Sequence, residues 1–109
     1  KILADGGHGV RPDRAMALAL FDNVCQRGDR IACDNVDAMI GNNWGLPATA
    51  SERATLFTTL CDHRSKVACF RLGDLLARGS GTKKDPTAAR ERYTRACDLG
   101  LPEACNKLR

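Results

Sequence analysis

The chain has 109 residues, of which 43% are hydrophobic but only five aromatic, and six are cysteines. That length allows one small unit with a modest core, and no apolar run reaches the roughly 20 residues that a membrane-spanning helix needs. The net charge of +4 is spread over interspersed residues, with Lys83 and Lys84 the only lysine doublet and no basic stripe set with aromatics, so a nucleic-acid footprint is not expected.

Alanine and leucine dominate the apolar set, which favours closely packed helices over a β-sandwich. No signal peptide is visible; the sequence opens on Lys1 in mid-pattern, so this says nothing of the full gene product.

In chain order, the opening KILADGGHG matches LLARGSG further on and reads as the end of a preceding helix, residues 1–8. The segments beginning at Gly9, Gly45 and Gly81 then align without insertion, giving units 9–44, 45–80 and 81–109, the last one partial. Phe21, Phe57 and Tyr93 share one column, Ala32, Ala68 and Ala104 another, and Val36, Leu72 and Leu108 a third. Each unit reads as two helices. The first begins near Asp13, Thr49 or Asp85, all competent N-cap residues, and Pro86 suits a first helical position. Apolar residues recur at helical spacing, as in Ala17, Leu20, Phe21 and Val24 or Ala89, Tyr93 and Ala96. This helix is expected to end around the first cysteine, with Gly28 or Gly100 as its stop. The second helix starts near Arg30, Lys66 or Pro102 and carries Ala32, Val36, Met39 and Ile40 or Ala68, Leu72, Leu75 and Leu76. It stops at Gly7, Asn43 or Gly79, residue types that tolerate positive φ most readily.

The cysteines fall in the same frame. Cys25 and Cys33, Cys61 and Cys69, and Cys97 and Cys105 each enclose seven residues, and the pairs repeat every 36 residues. Each pair lies at the end of one helix and the opening turns of the next, where a short antiparallel hairpin can bring the two Cβ atoms within bridging distance. Three local disulfides are the favoured reading. Metal ligation has the wrong spacing for zinc and only two histidines to support it, and free or redox-active thiols are the remaining alternative. Paired cysteines point to an oxidising compartment.

ACFRLGDLLARGSGTKKDPTAARERYTRACDLG, residues 68–100, resembles the Sel1-like repeat, a relative of the tetratricopeptide repeat, through Ala68, Leu72, Gly73, Leu75, Gly79, Gly81, Asp85, Ala89, Tyr93 and Ala96. Cysteines at the two hairpin positions resemble a subgroup, the Helicobacter cysteine-rich proteins, and a mitochondrial intermembrane-space assembly factor is built similarly. The segment after Ile40 departs from the pattern at Asn42, Asn43, Trp44, Pro47 and Thr49. The resemblance implies an all-α solenoid of antiparallel helix hairpins, a fragment or short array, acting as a monomeric protein-interaction scaffold without a cofactor. It also implies a periplasmic or secreted location, with the intermembrane space as alternative. Some members of the subgroup carry a β-lactamase or penicillin-binding attribution, which is the alternative function.

Residues outside the core columns are the candidates for a binding face. On the second helices these are Asn35, Ala38 and Asn42, aligned with Arg71, Asp74 and Arg78; Trp44, in the loop column of His8 and Ser80, is a candidate anchor. Solvated faces would carry the same residues. Ser80 to Lys83 spells S-x-x-K but falls in a turn the repeat requires, whereas the catalytic motif needs its serine at a buried helix start. His63 beside Asp62 has no evident nucleophile to serve, and no catalytic or metal residues are expected.

Overall fold

The computed structural model describes residues 13–109, which form six helices and, among the described residues, no strand. They are α1 (Arg14–Gln26), α2 (Arg30–Gly41), α3 (Ala50–Asp62), α4 (Lys66–Arg78), α5 (Pro86–Asp98) and α6 (Pro102–Lys107). The hairpin-opening helices begin at 14, 50 and 86 and their partners at 30, 66 and 102, so both series advance in steps of 36. The expected helix end in residues 1–8 and the opening of the first unit at Gly9 lie outside the described residues.

Local chemistry sets these boundaries. Asp13, Thr49 and Asp85 accept the backbone N–H groups of Met16, Glu52 and Ala88 at 3.0, 3.2 and 3.0 Å, satisfying donors that the first turn leaves over. Asp29 and Ser65, which the sequence did not single out, cap α2 and α4 in the same way. The turn inside each hairpin needs a left-handed residue. Gly28 and Gly100 supply it at φ 101° and 105°, but in the middle hairpin the non-glycine Arg64 does so at φ 71°. After the second helices, Asn43 (φ 56°) and Gly79 (φ 70°) end α2 and α4 as expected.

Gly45 and Gly81 follow, and here the requirement is space as well as φ. A Cβ on Gly45 would stand 2.6 Å from the carbonyl oxygen of Arg14, and one on Gly81 2.3 Å from the carbonyl carbon of Ala50. The inter-hairpin turn thus lies directly on the N-terminus of the preceding first helix.

The three cysteine pairs are bonded within their hairpins, with Cα–Cα distances of 4.6, 4.6 and 4.8 Å. Cys61 and Cys69 are wholly buried. They sit in one continuous core with Leu18, Val36, Met39, Ile40, Phe57, Leu60, Leu72 and Ala96. Among the helix pairs, α4 and α5 share the most extensive contact. The reason is Gly73, against which the Tyr93 ring lies so tightly that a Cβ would be 2.7 Å from Tyr93 Cε1. The same column in α2 holds Asp37, half-buried and bonded to the Ser65 hydroxyl at 2.6 Å.

One expectation changes. Leu20, Phe21 and Val24 belong to the apolar face that the helical spacing marks, yet they are 60%, 36% and 40% exposed, whereas Phe57 and Tyr93, and Leu60 and Ala96, in the columns of Phe21 and Val24 are buried. Tyr93 packs against Gly73 of the preceding hairpin, and Arg71 lies over the ring of Phe57 within its own.

Candidate functional site

Residues 35, 38 and 42 fall on one face of α2 because positions three, four and seven apart stack along a helix. Asn43 then turns the chain at positive φ, and Trp44 is held back against the helix end by its N–H, which donates to the Met39 carbonyl at 2.8 Å. These elements enclose an open groove of about 500 Å³ lined by Phe21, Asn35, Ala38, Met39, Asn42 and Trp44. The floor is apolar and the polar lining consists of two amides. Asn42 uses one N–H on the Ala38 carbonyl at 2.9 Å, leaving its oxygen, while the Asn35 amide makes no intramolecular hydrogen bond among the described residues.

Two arginines stand at the Trp44 end. Arg14 places its guanidinium carbon 5.0 Å from the centre of the Trp44 ring, a cation–π contact. Arg71 reaches back from α4 to donate to the Ile40 carbonyl at 3.3 Å and to the side-chain oxygen of Asn43. Its guanidinium carbon also lies 5.8 Å from the centre of the Phe57 ring.

That last contact explains why only the first hairpin presents this groove. Phe21 and Phe57 share a column, as do Asn35 and Arg71. In the second hairpin the long arginine lies across the aromatic ring, and Phe57 is 2% exposed. In the first, asparagine is too short to do so and Phe21 remains open to solvent. In the third, Tyr93 and Lys107 flank a separate hollow with Ala77, Thr87 and Arg90.

The sequence-derived candidates therefore divide. Asn35, Asn42 and Trp44 come together in the groove; Arg71, Asp74 and Arg78 lie outside its lining. Asp74 accepts the Tyr93 hydroxyl at 2.5 Å. Burial pushes the Tyr93 phenol up, and the hydrogen bond to Asp74 adds to the effect. Arg78 is exposed near the end of α4. Sequence reasoning missed Phe21 as a groove residue, because its column is a packing column in the other two units.

Other polar groups are accounted for structurally. His63 places Nδ1 2.9 Å from the Asp22 carboxylate, tying the end of α3 to α1. Arg92 lies 3.4 Å from the sulfur of Cys61 and 3.7 Å from Asp62. Ser80 to Lys83 forms the turn between α4 and α5. Among the described residues no cluster of three or more His, Cys, Asp or Glu could hold a metal ion, and no helix is long and apolar enough to cross a membrane.

The Sel1 repeat profile matches residues 3–29 and 66–101, more than half of the chain. No curated protein matches it. Among solved structures, Helicobacter pylori cysteine rich protein B is similar with a TM-score of 0.60 and 21% identity, over 84% of this chain and 68% of that one. A protective antigen of uropathogenic Escherichia coli displaying an SLR fold gives a TM-score of 0.59 and 26% identity, over 94% of this chain. This chain spans only 22% of the antigen's length. The recurring hairpins, their caps and their close turns are thus those of a known repeat, and the chain belongs to the Sel1 repeat family.

Proposed function

We propose that this chain is a protein-interaction scaffold, and that a partner protein docks in the groove of the first hairpin. One observation carries the reading: the chain's single tryptophan and an exposed phenylalanine flank two asparagines with unused hydrogen-bonding capacity, and the phenylalanine lacks the arginine that lies over Phe57 in the second hairpin. Aromatic anchors in a partly enclosed slot are what interface hot spots are made of. Asn35, Asn42 and Trp44 form the contact, and Arg78, exposed on α4 in the column of Asn42, is proposed to extend it. Arg71, on Asn43, borders the groove at its Trp44 end, and Asp74 supports the stack by holding Tyr93 of the third hairpin.

The three disulfides support residence in an oxidising, extracytoplasmic compartment, the periplasm or outside the cell. The solenoid's role is to hold the groove rigidly, with no cofactor needed.

A photo-reactive phenylalanine analogue at exposed Ala38 should crosslink a defined partner in the oxidised state. The same label at exposed Thr94 on α5 should not, and Trp44→Ala should abolish the Ala38 adduct. Equal labelling from both positions would refute the assignment.

A further inference from the structure

The groove has a polarity that specifies its occupant further. Its basic end carries Arg14 over Trp44 and Arg71 on Asn43, and neither has a carboxylate partner among the described residues. The nearby acids are engaged elsewhere: Asp13 caps α1, Asp37 accepts from Ser65 and Asp74 accepts from Tyr93. Asp34, exposed, stands at the opposite end beside Asn35. Between the ends lies the apolar floor of Phe21, Ala38 and Met39.

Asn35 and Asn42 are seven residues apart on one helix, about 10 Å at 1.5 Å per residue. Three residues of extended chain cover the same distance at roughly 3.3 Å each. An amide side chain can both donate and accept, matching the N–H and C=O of a peptide backbone.

We infer that the groove takes an extended peptide segment with one bulky apolar side chain set between the two asparagines, followed toward Arg14 and Arg71 by aspartate or glutamate side chains. This rests on the groove being the partner site and adds the chemistry of what fills it. The apolar side chain lies against Phe21 and Met39, and the carboxylates meet two guanidinium groups that pair with no carboxylate among the described residues.

Trp44, as the only tryptophan, reports occupancy directly. The probe is an acetylated, amidated octapeptide of glycine and serine with one phenylalanine followed after one residue by two aspartates. Titrated into the oxidised chain, it should change Trp44 fluorescence saturably. Replacing its phenylalanine by alanine, or both aspartates by lysine, should weaken binding at least fivefold. Arg14→Gln, at an exposed position, should shrink the aspartate-to-lysine preference, and Asn35→Leu should weaken the parent peptide.

Equal affinity for the aspartate and lysine peptides would overturn the inference, as would a flat titration with all of them. If Ala38 still crosslinks a partner while the peptides fail, only this inference falls. If crosslinking fails as well, the docking reading falls with it.

Discussion

Gly81 and Gly41 occupy opposite situations, and their alanine variants should separate accordingly. A side chain at Gly81 would need φ near +71° and would collide with backbone of Ala50, which cannot swing aside. Gly81→Ala should therefore destabilise by at least ~2 kcal/mol, the left-handed cost plus the forced shift. Gly41 ends α2 with nothing within 4 Å of a built Cβ, so Gly41→Ala should stabilise by about 0.4–1 kcal/mol through a less free unfolded chain. Thermal or urea melts of both variants check the pair. Asp37 supplies a pH-dependent counterpart. Burial holds its carboxyl above the ordinary 3.8, outweighing the Ser65 hydrogen bond that pulls the other way. The folded state then binds the proton more tightly than the unfolded one. Stability from this group is full below pH 3.8 and is lost as pH rises through the raised folded value. Asp37→Asn, which keeps an acceptor for Ser65, should melt above the parent at pH 7 and alongside it at pH 3. A variant that melts lower at pH 7 would contradict this.

Among the elements, the three bridged hairpins are alike in sequence spacing but not in exposure. Cys61 and Cys69 are fully buried and shielded by Arg92, whereas the outer four cysteines are partly accessible. Under limiting reductant, alkylation and peptide mapping should find Cys25–Cys33 and Cys97–Cys105 opened before Cys61–Cys69. Each bridge closes a short loop worth roughly 2–3 kcal/mol in the chain-entropy picture, so full reduction should lower the melting temperature markedly. Helix starts, turns and cysteine pairing were legible in the sequence because each depends on residues close along the chain: Asp13 on Met16, Cys25 on Cys33, Asn43 on its own φ. The fates of Phe21 and Arg71 were not. Helical periodicity marks Phe21 as apolar-faced, but whether a neighbouring element covers it depends on contacts between hairpins. Arg71 reads as a surface residue, since nothing local shows that its side chain spans to Ile40 and Asn43. Arg64 escaped for a different reason: the same turn hydrogen bonds, to the carbonyls of Cys61 and Leu60, set an exposed non-glycine residue at positive φ where the other two hairpins use glycine.

At the scale of the whole molecule, the two junctions between hairpins differ. Gly73 lets α5 press closely onto α4, while Asp37 occupies the same column in α2, where the junction is linked through Ser65, Asp22, His63 and Arg71 side chains. The polar junction is also the one beside the groove. Much of the candidate face could be read from sequence, since Asn35, Ala38, Asn42 and Trp44 follow from helix register and one turn. Its restriction to the first hairpin could not, because that depends on Arg71 lying over Phe57. This exchange at one column bears on how such arrays diversify. A side chain long enough to fold over its hairpin's aromatic ring shuts that ring away, and a short amide at the same point leaves it available. Helix starts, bridges and turn glycines are untouched by the choice. A lineage of these solenoids can therefore alter how many docking positions it offers, and where along the stack they lie, by substitutions at one column, with the repeat's caps, bridges and turns kept in place.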